Sequence, residues 1–192
     1  MTQHPVGMQA FGKPGTRFLE MINDLSHSAC GGATLPPGPA IAVCFDASGL
    51  EGLRRLPLWQ QQQLVLNLEE IELVRYSGQH AGSLAWISAE DPRRLAGPLL
   101  DLYEGAYLRC GGPELVCSGP RMLEVYPMPA AGNDGPEQIL ALLAAVWAAR
   151  IRGVPEAGVR RWLAARAKAE PLPAAAGWQE GKAVQNHEGR LG

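Results

Sequence analysis

The amino-acid sequence predicts an α+β protein in which a twisted antiparallel sheet of about five strands packs against helices. Apolar residues recur at helical spacing after Thr16 and again after Pro136. Short apolar runs bounded by turn residues lie between these segments and are typical of strands and hairpins. Hydrophobic residues make up 46% of the chain and charged residues 19%, which is ordinary globular usage, so most of the chain should fold.

The first elements follow from local signals. Residues 1–15 are rich in Gly and Pro and are expected to be flexible. Thr16 is a plausible N-cap for a helix, and Gly31-Gly32 would end that helix. The apolar segment PAIAVCFD, residues 39–46, predicts a strand.

The middle of the chain predicts a short helix followed by a hairpin. Ser48 and Glu51 have the spacing of a capping box, which indicates a helix through Leu56. LVLNLEEIELVRYS, residues 64–77, alternates in both halves with a phase break at Glu69-Glu70, and it predicts mainly strand. A turn at 78–82 and the segment SLAWIS would complete an antiparallel hairpin.

The last third predicts helix, hairpin and two helices. Asp91-Pro92 combines an N-cap with a proline at the first helical position, and it predicts a helix over 91–108. Two apolar runs around 118–120 predict a second hairpin, and Pro136 begins an amphipathic helix that closes at Gly153. The domain is therefore expected over 16–153, with a basic helical extension over 154–169 and a loose tail over 170–192.

Composition indicates a protein of a reducing, aqueous compartment. The apolar stretch 139–149 is about half the ~20 residues that a membrane span needs, and no signal peptide is recognisable. Four scattered cysteines do not suggest a disulfide framework. The sequence therefore predicts a cytoplasmic protein.

Charge is unevenly distributed along the chain. Residues 1–148 carry 9 basic and 15 acidic side chains, and residues 149–192 carry 8 basic and 4 acidic ones. An acidic body disfavours a large phosphate-binding surface, so nucleic acid is not the expected partner. Binding of nucleic acid through the basic stretch remains an alternative; its members are Arg150, Arg152, Arg160, Arg161, Arg166 and Lys168.

No arrangement in the sequence indicates catalysis, a metal or a cofactor. His27 and Cys30 form a weak metal-ligand pair, and Cys110 and Cys117 are too far apart for a tight one. The glycine-rich nucleotide motifs and the hydrolase nucleophile motif are missing. The sequence predicts no enzyme and no cofactor; the rival hypothesis is a small enzyme that uses His80 with Glu69 or Glu72.

Residues 64–153 resemble the small acidic chaperones of bacterial type III secretion, the Tir-chaperone or CesT-like class. The resemblance rests on the segment LLDLYEGAYLRCGGPELVC, the hairpin GPRMLEVYPM and the last helix GPEQILALLAAVWAARIRG. It implies a non-enzymatic homodimer that holds a secreted effector for export. The segment 48–63 and the extension after Gly153 exceed the usual size of the class.

Two surfaces follow from this hypothesis. Partner binding by apolar anchoring and strand addition would use Phe18, Ile22, Leu25, Val43 and Phe45. The helix predicted over 91–108 is apolar on more than one face, so a twofold interface is expected there, through Leu100, Tyr103 and Tyr107.

Overall fold

The protein forms a seven-stranded mixed sheet between two layers of helices. The computed structural model describes residues 7–31, 35–57, 60, 62–80, 82–92, 104–109, 114–119, 122–128 and 135–169. The strands are β1 (Met8–Phe11), β2 (Ile41–Cys44), β3 (Gln63–Asn67), β4 (Ser83–Ser88), β5 (Gly105–Arg109), β6 (Glu114–Gly119) and β7 (Met122–Pro127). The helices are α1 (Gly15–Ala29), α2 (Leu50–Arg54), α3 (Ile71–Ser77), α4 (Pro136–Ile151) and α5 (Glu156–Ala169).

The strands lie across the sheet in chain order, and the first five are parallel. Only β5, β6 and β7 pair antiparallel. The predicted five-stranded antiparallel sheet is therefore wrong, and the fold is α/β. Parallel neighbours need a crossover connection, and helices α1, α2 and α3 lie in the connections between the first four strands.

Strand β2 is buried on both sides. In β2, Ile41 and Val43 belong to the core formed with α1, α4 and α5, on what we call the α1 face. Ala42 and Cys44 pack with α2 and α3 on the opposite side, the α2 face. A strand covered on both faces has no polar side, which explains the continuous apolar run of β2.

Helix α4 is the centre of the α1 face. Its residues from Leu140 to Ala149 are all buried, because the helix packs against α1, α5 and strands β4 to β6. Its apolar residues surround the whole helix, as expected for a helix covered on every side. The structure confirms this helix, helix α1 and the hairpin β6–β7 as predicted elements.

Helix α5 belongs to the same core, although the sequence suggested an appended extension over 154–169. Val159, Trp162 and Leu163 are buried, and the Trp162 Nε1–H donates a 2.8 Å hydrogen bond to Asp24 on α1. The segment 170–192 lies outside the described residues.

Three local predictions need correction. Residues 8–11, within the segment expected to be flexible, form strand β1. The turn after β2 is capped by Asp46, whose side chain accepts from the Gly49 N–H, and Ser48 does not cap it. Residues 71–77 are helical, so β4 is a strand as predicted but pairs in parallel with β3.

The helix predicted over 91–108 is wrong at its end, because residues 105–109 form β5. Gly105 has φ 147°, and a Cβ there would lie 1.7 Å from the Trp86 carbonyl oxygen on β4. The close approach of the two strands therefore requires glycine. Tyr107 lies on β5, half-buried, while Leu100 and Tyr103 fall outside the described residues.

Candidate functional site

Polar side chains follow three neighbouring parallel strands at the carboxyl edge of the sheet. Asp46 comes after β2, Asn67 ends β3 and Ser88 ends β4. In open α/β sheets this edge is where ligands most often bind. The contacts of these groups decide whether this edge is open to a ligand.

The Asp46 carboxylate joins two loops. Its Oδ2 accepts from the Lys13 N–H at 2.7 Å, and its Oδ1 accepts from the Ser48 hydroxyl at 2.5 Å and the Gly49 N–H at 3.1 Å. Partial burial alone would raise the pKa of Asp46, but these hydrogen bonds outweigh it and hold the pKa below its usual value. The carboxylate is thus charged and already hydrogen-bonded on both oxygens.

The two loops joined by Asp46 lead to opposite faces of the sheet. The loop after β1 enters α1 on one face, and the loop after β2 enters α2 on the other. Diverging loops of this kind can open a ligand crevice. Here they touch, because a Cβ added at Gly49 would lie 2.5 Å from the Phe11 carbonyl carbon and 2.6 Å from the Gly12 nitrogen. The crevice between β1 and β2 is closed.

The remaining polar groups of this edge bond to one another. Asn67 Nδ2 donates to the Phe45 carbonyl at 3.0 Å, and its Oδ1 accepts from the Glu69 N–H at 3.1 Å. Glu69 Oε1 accepts from the Ser88 hydroxyl at 2.9 Å and the Glu90 N–H at 3.1 Å. These hydrogen bonds join the loops after β2, β3 and β4. The polar groups of this edge therefore stabilise the loops.

The residues of the rival enzyme hypothesis are not brought together. Glu69 lies at the carboxyl edge beside Ser88, whereas His80 precedes the start of β4 at the opposite edge. The strand between them spans about 17 Å at ~3.3 Å per residue. Glu72 pairs with Arg75 on α3 at 3.1 Å. A proton transfer between His80 and either glutamate would require contact that this arrangement does not provide.

The described thiols are sheltered. Cys44 and Cys117 are buried and Cys30 is half-buried. Burial raises the pKa of Cys44 to about 12, so this thiol stays protonated near neutral pH. His27 contacts the Asn23 carbonyl through Nδ1 at 2.9 Å. Within the described ranges, no group of three or more His, Cys, Asp or Glu side chains could hold a metal ion; Cys110 lies outside them.

The five predicted partner anchors are core residues. Exposed fractions are 0% for Phe18, Ile22, Leu25 and Val43 and 1% for Phe45. The Phe18 and Phe45 rings pack against each other with centroids 6.0 Å apart. These side chains hold α1 on the sheet, so the structure places them in the core and not on its surface.

Most of the basic stretch is engaged within the chain. Arg150 pairs with Glu124, Arg160 pairs with Glu156, and Arg166 lies over the Trp162 ring at 6.0 Å. Arg152 is buried, with 6% exposed. Of this stretch, Arg161 and Lys168 alone are exposed and bond to no part of the chain that the structure describes. Two separate cations are a small surface for phosphate groups.

Comparison with protein-family models and with curated protein sequences finds no match. No helix within the described ranges is long and apolar enough to cross a membrane.

The edges of the sheet carry free backbone groups in the described part of the chain, and the first edge is β1. The Ile41 N–H donates to the Gly7 carbonyl at 2.8 Å and the Phe45 N–H donates to the Phe11 carbonyl at 3.0 Å, so alternate residues of β1 face β2. Met8 and Ala10 face the other way. No described residue hydrogen-bonds to their peptide groups. Sequence reasoning missed this edge because four residues inside a Gly- and Pro-rich segment carry little strand signal.

Proposed function

We propose that this protein acts by binding an extended segment of another protein as an added strand along β1. The observation that carries the proposal is the pair of outward-facing peptide groups, Met8 and Ala10, on a strand with no second neighbour among the described residues. An incoming strand would supply the missing partners, and main-chain hydrogen bonds of this kind give affinity with little demand on sequence.

The surroundings of β1 support the same function. Helix α1 approaches the strand from one face, where a Cβ at Gly15 would lie 3.2 Å from the Ala10 Cβ. Helix α2 approaches from the other face, where a Cβ at Gly52 would lie 2.7 Å from a Phe11 ring carbon. An added strand would therefore run beside two helices that hold β1 in place.

A narrower form of the proposal is that the bound segment belongs to a secreted effector, with the protein acting as a type III secretion chaperone. Its support is the sequence resemblance over 64–153. The sheet is mostly parallel, so the fold does not support the chaperone hypothesis. The hypothesis rests on the sequence segments that carry the resemblance. Self-association through Leu100, Tyr103 and Tyr107 stays a prediction of the same resemblance.

Proline at Ala10 tests the β1 edge. The Ala10 N–H points away from β2, so Ala10→Pro removes the outward donor without removing a hydrogen bond of the β1–β2 ladder. The probe is a displayed library of random short peptides, selected on the wild-type protein. We expect the selected peptides to bind Ala10→Pro at least about tenfold more weakly, a loss of ~1.4 kcal/mol.

Leu123→Pro is the matched control, since it removes an outward N–H from β7, the strand at the other end of the sheet. This variant should bind the selected peptides as the wild type does, and circular dichroism should show both variants folded. Equal affinity of Ala10→Pro and wild type for every selected peptide would contradict binding at β1.

A further inference from the structure

At the opposite end of the sheet, a side chain covers part of the outer edge of β7. Arg160 on α5 donates a 2.9 Å hydrogen bond from Nη2 to the Val125 carbonyl. Among the described residues β7 pairs only with β6. A carbonyl that meets a side chain from α5 points away from β6, and in an antiparallel strand the peptide groups of residue 123 share that direction.

Arg160 is held in this position from three sides. Its Nε donates to Glu156 Oε1 at 2.7 Å, one helical turn earlier on α5. Its guanidinium lies over the Tyr126 ring, 5.0 Å from the centroid. The Val125 carbonyl is the third contact. A planar cation with several donors can make all three contacts at once, which lysine cannot.

The remainder of the outer edge of β7 is open at two residues, because the Val125 N–H faces outward together with the peptide groups of Leu123. Pro127 carries no N–H, so the end of the strand cannot donate. Leu123, two residues from Val125, has free peptide groups in the described structure and a side chain that is 73% exposed. Without Arg160, the outward groups of Leu123 and Val125 would form a short edge with an exposed apolar residue, which is a template for pairing between chains.

We propose that Arg160 is an edge cap that prevents β7 from pairing with β7 of a second copy of this chain. Two antiparallel β7 strands related by a twofold axis would present the same groups to each other, so the contact would be self-complementary. Arg160 occupies the space and the acceptor that this contact needs. The inference concerns the edge opposite to β1 and does not depend on the proposed peptide binding.

Removal of the guanidinium tests the cap. Light scattering should give Arg160→Ala roughly twice the mass of the wild-type protein at the same micromolar concentration. Arg161→Ala, one residue along the same helix and exposed, should keep the wild-type mass. Glu156→Ala should also keep it, because it removes the ion pair while leaving the bond to Val125.

A double variant separates edge pairing from aggregation of a damaged protein. Arg160→Ala combined with Leu123→Pro lacks both the cap and the outward N–H at residue 123, and its mass should return to that of the wild type. An unchanged mass for Arg160→Ala would overturn the proposal. Persistent association of the double variant would overturn it as well, since such association would not use the β7 edge.

Discussion

Asp46 shows how a single carboxylate can organise the start of this fold. It receives hydrogen bonds from the loop that leads to α1 and from the turn that leads to α2. Both loops carry unsatisfied N–H groups where a helix begins, and a carboxylate is the strongest common acceptor for such groups. Asp46 thereby holds together the two loops from which α1 and α2 start on opposite faces of the sheet.

We expect Asp46→Ala to lower the free energy of unfolding by about 1 kcal/mol at pH 7, the usual effect of losing an N-cap. The pKa of Asp46 is lowered on folding, so its stabilisation is present above the unfolded pKa of ~3.9 and is lost as pH falls through the lower folded value. Urea unfolding of both proteins at pH 7 and pH 2 should show the difference shrinking in acid.

Glu51→Ala provides the control for this measurement. Glu51 forms an exposed ion pair with Arg55, with both side chains more than three-quarters exposed. Such pairs contribute little, so the variant should differ from wild type by less than about 0.5 kcal/mol. A pH-independent gap between Asp46→Ala and wild type would show that the charge of Asp46 is not the source of the effect.

Residue spacing located apolar side chains of α1 that the structure places in the core. Phe18, Ile22 and Leu25 do lie on one face of α1, as their spacing predicts. A regular apolar stripe is what a helix needs in order to pack on its own sheet, so the same pattern cannot mark a surface for a partner. The open peptide groups of β1 have no side-chain signature, and they became visible only from the hydrogen bonds of the neighbouring strand.

At the scale of elements, one partly buried ion pair joins the hairpin β6–β7 to α4. Glu124 Oε2 accepts from Arg150 Nε at 2.7 Å and Glu124 also accepts from the Tyr126 hydroxyl. Burial by itself would raise the pKa of Glu124, but the bonds from Arg150 and Tyr126 hold it below its usual value. The side chains of Arg150 and Glu124 are only 18% and 12% exposed.

Breaking this pair should be costly because it leaves the arginine charge in a poorly solvated place. We expect Glu124→Gln to lower the free energy of unfolding by about 3 kcal/mol. Glu114→Gln is the matched variant on the adjacent strand, where the pair with Arg109 is 3.0 Å long and both side chains are about 40% exposed; it should cost about 0–1 kcal/mol. If denaturant titrations give equal losses of unfolding free energy for the two variants, the Arg150–Glu124 pair stabilises the fold no more than an exposed pair does.

The elements that the sequence predicted well are long or strongly apolar. Helices α1 and α4 repeat their pattern over several turns, and the sequence from the end of β6 to β7 contains the turn residues Gly119 and Pro120. Helix α3 has seven residues and one buried side chain, Leu73, so its period is too short to separate from a strand. Because residues 71–77 were predicted as strand, β4 was predicted to pair antiparallel in a hairpin. A helix in this connection instead allows β4 to run parallel to β3.

At the scale of the whole molecule, helices near the two ends of the described chain pack against each other in the core. Helix α5 packs on α1 through buried Val159, Trp162 and Leu163, and full burial of each such side chain is worth roughly 1.5–3 kcal/mol. Their sum approaches the total stability of a small domain, ~5–15 kcal/mol.

A chain that ends at residue 153 should therefore fail to unfold cooperatively, whereas one that ends at residue 169 should melt as the full chain does. Thermal melts followed by circular dichroism compare the three proteins. A melting temperature for the 1–153 chain within a few degrees of the full-length value would show that α5 is an appendage after all.

The placement of α4 and α5 after all the described strands has a consequence for synthesis. The α1 face of the sheet and the apolar side of α1 are complete in the chain before residue 136, but the helices that cover them are made later. At roughly 5–20 residues per second, residues 136–169 take about 2–7 s to appear on the ribosome. During that interval the nascent chain exposes apolar surface that the folded protein buries under α4 and α5, and this surface is prone to aggregation.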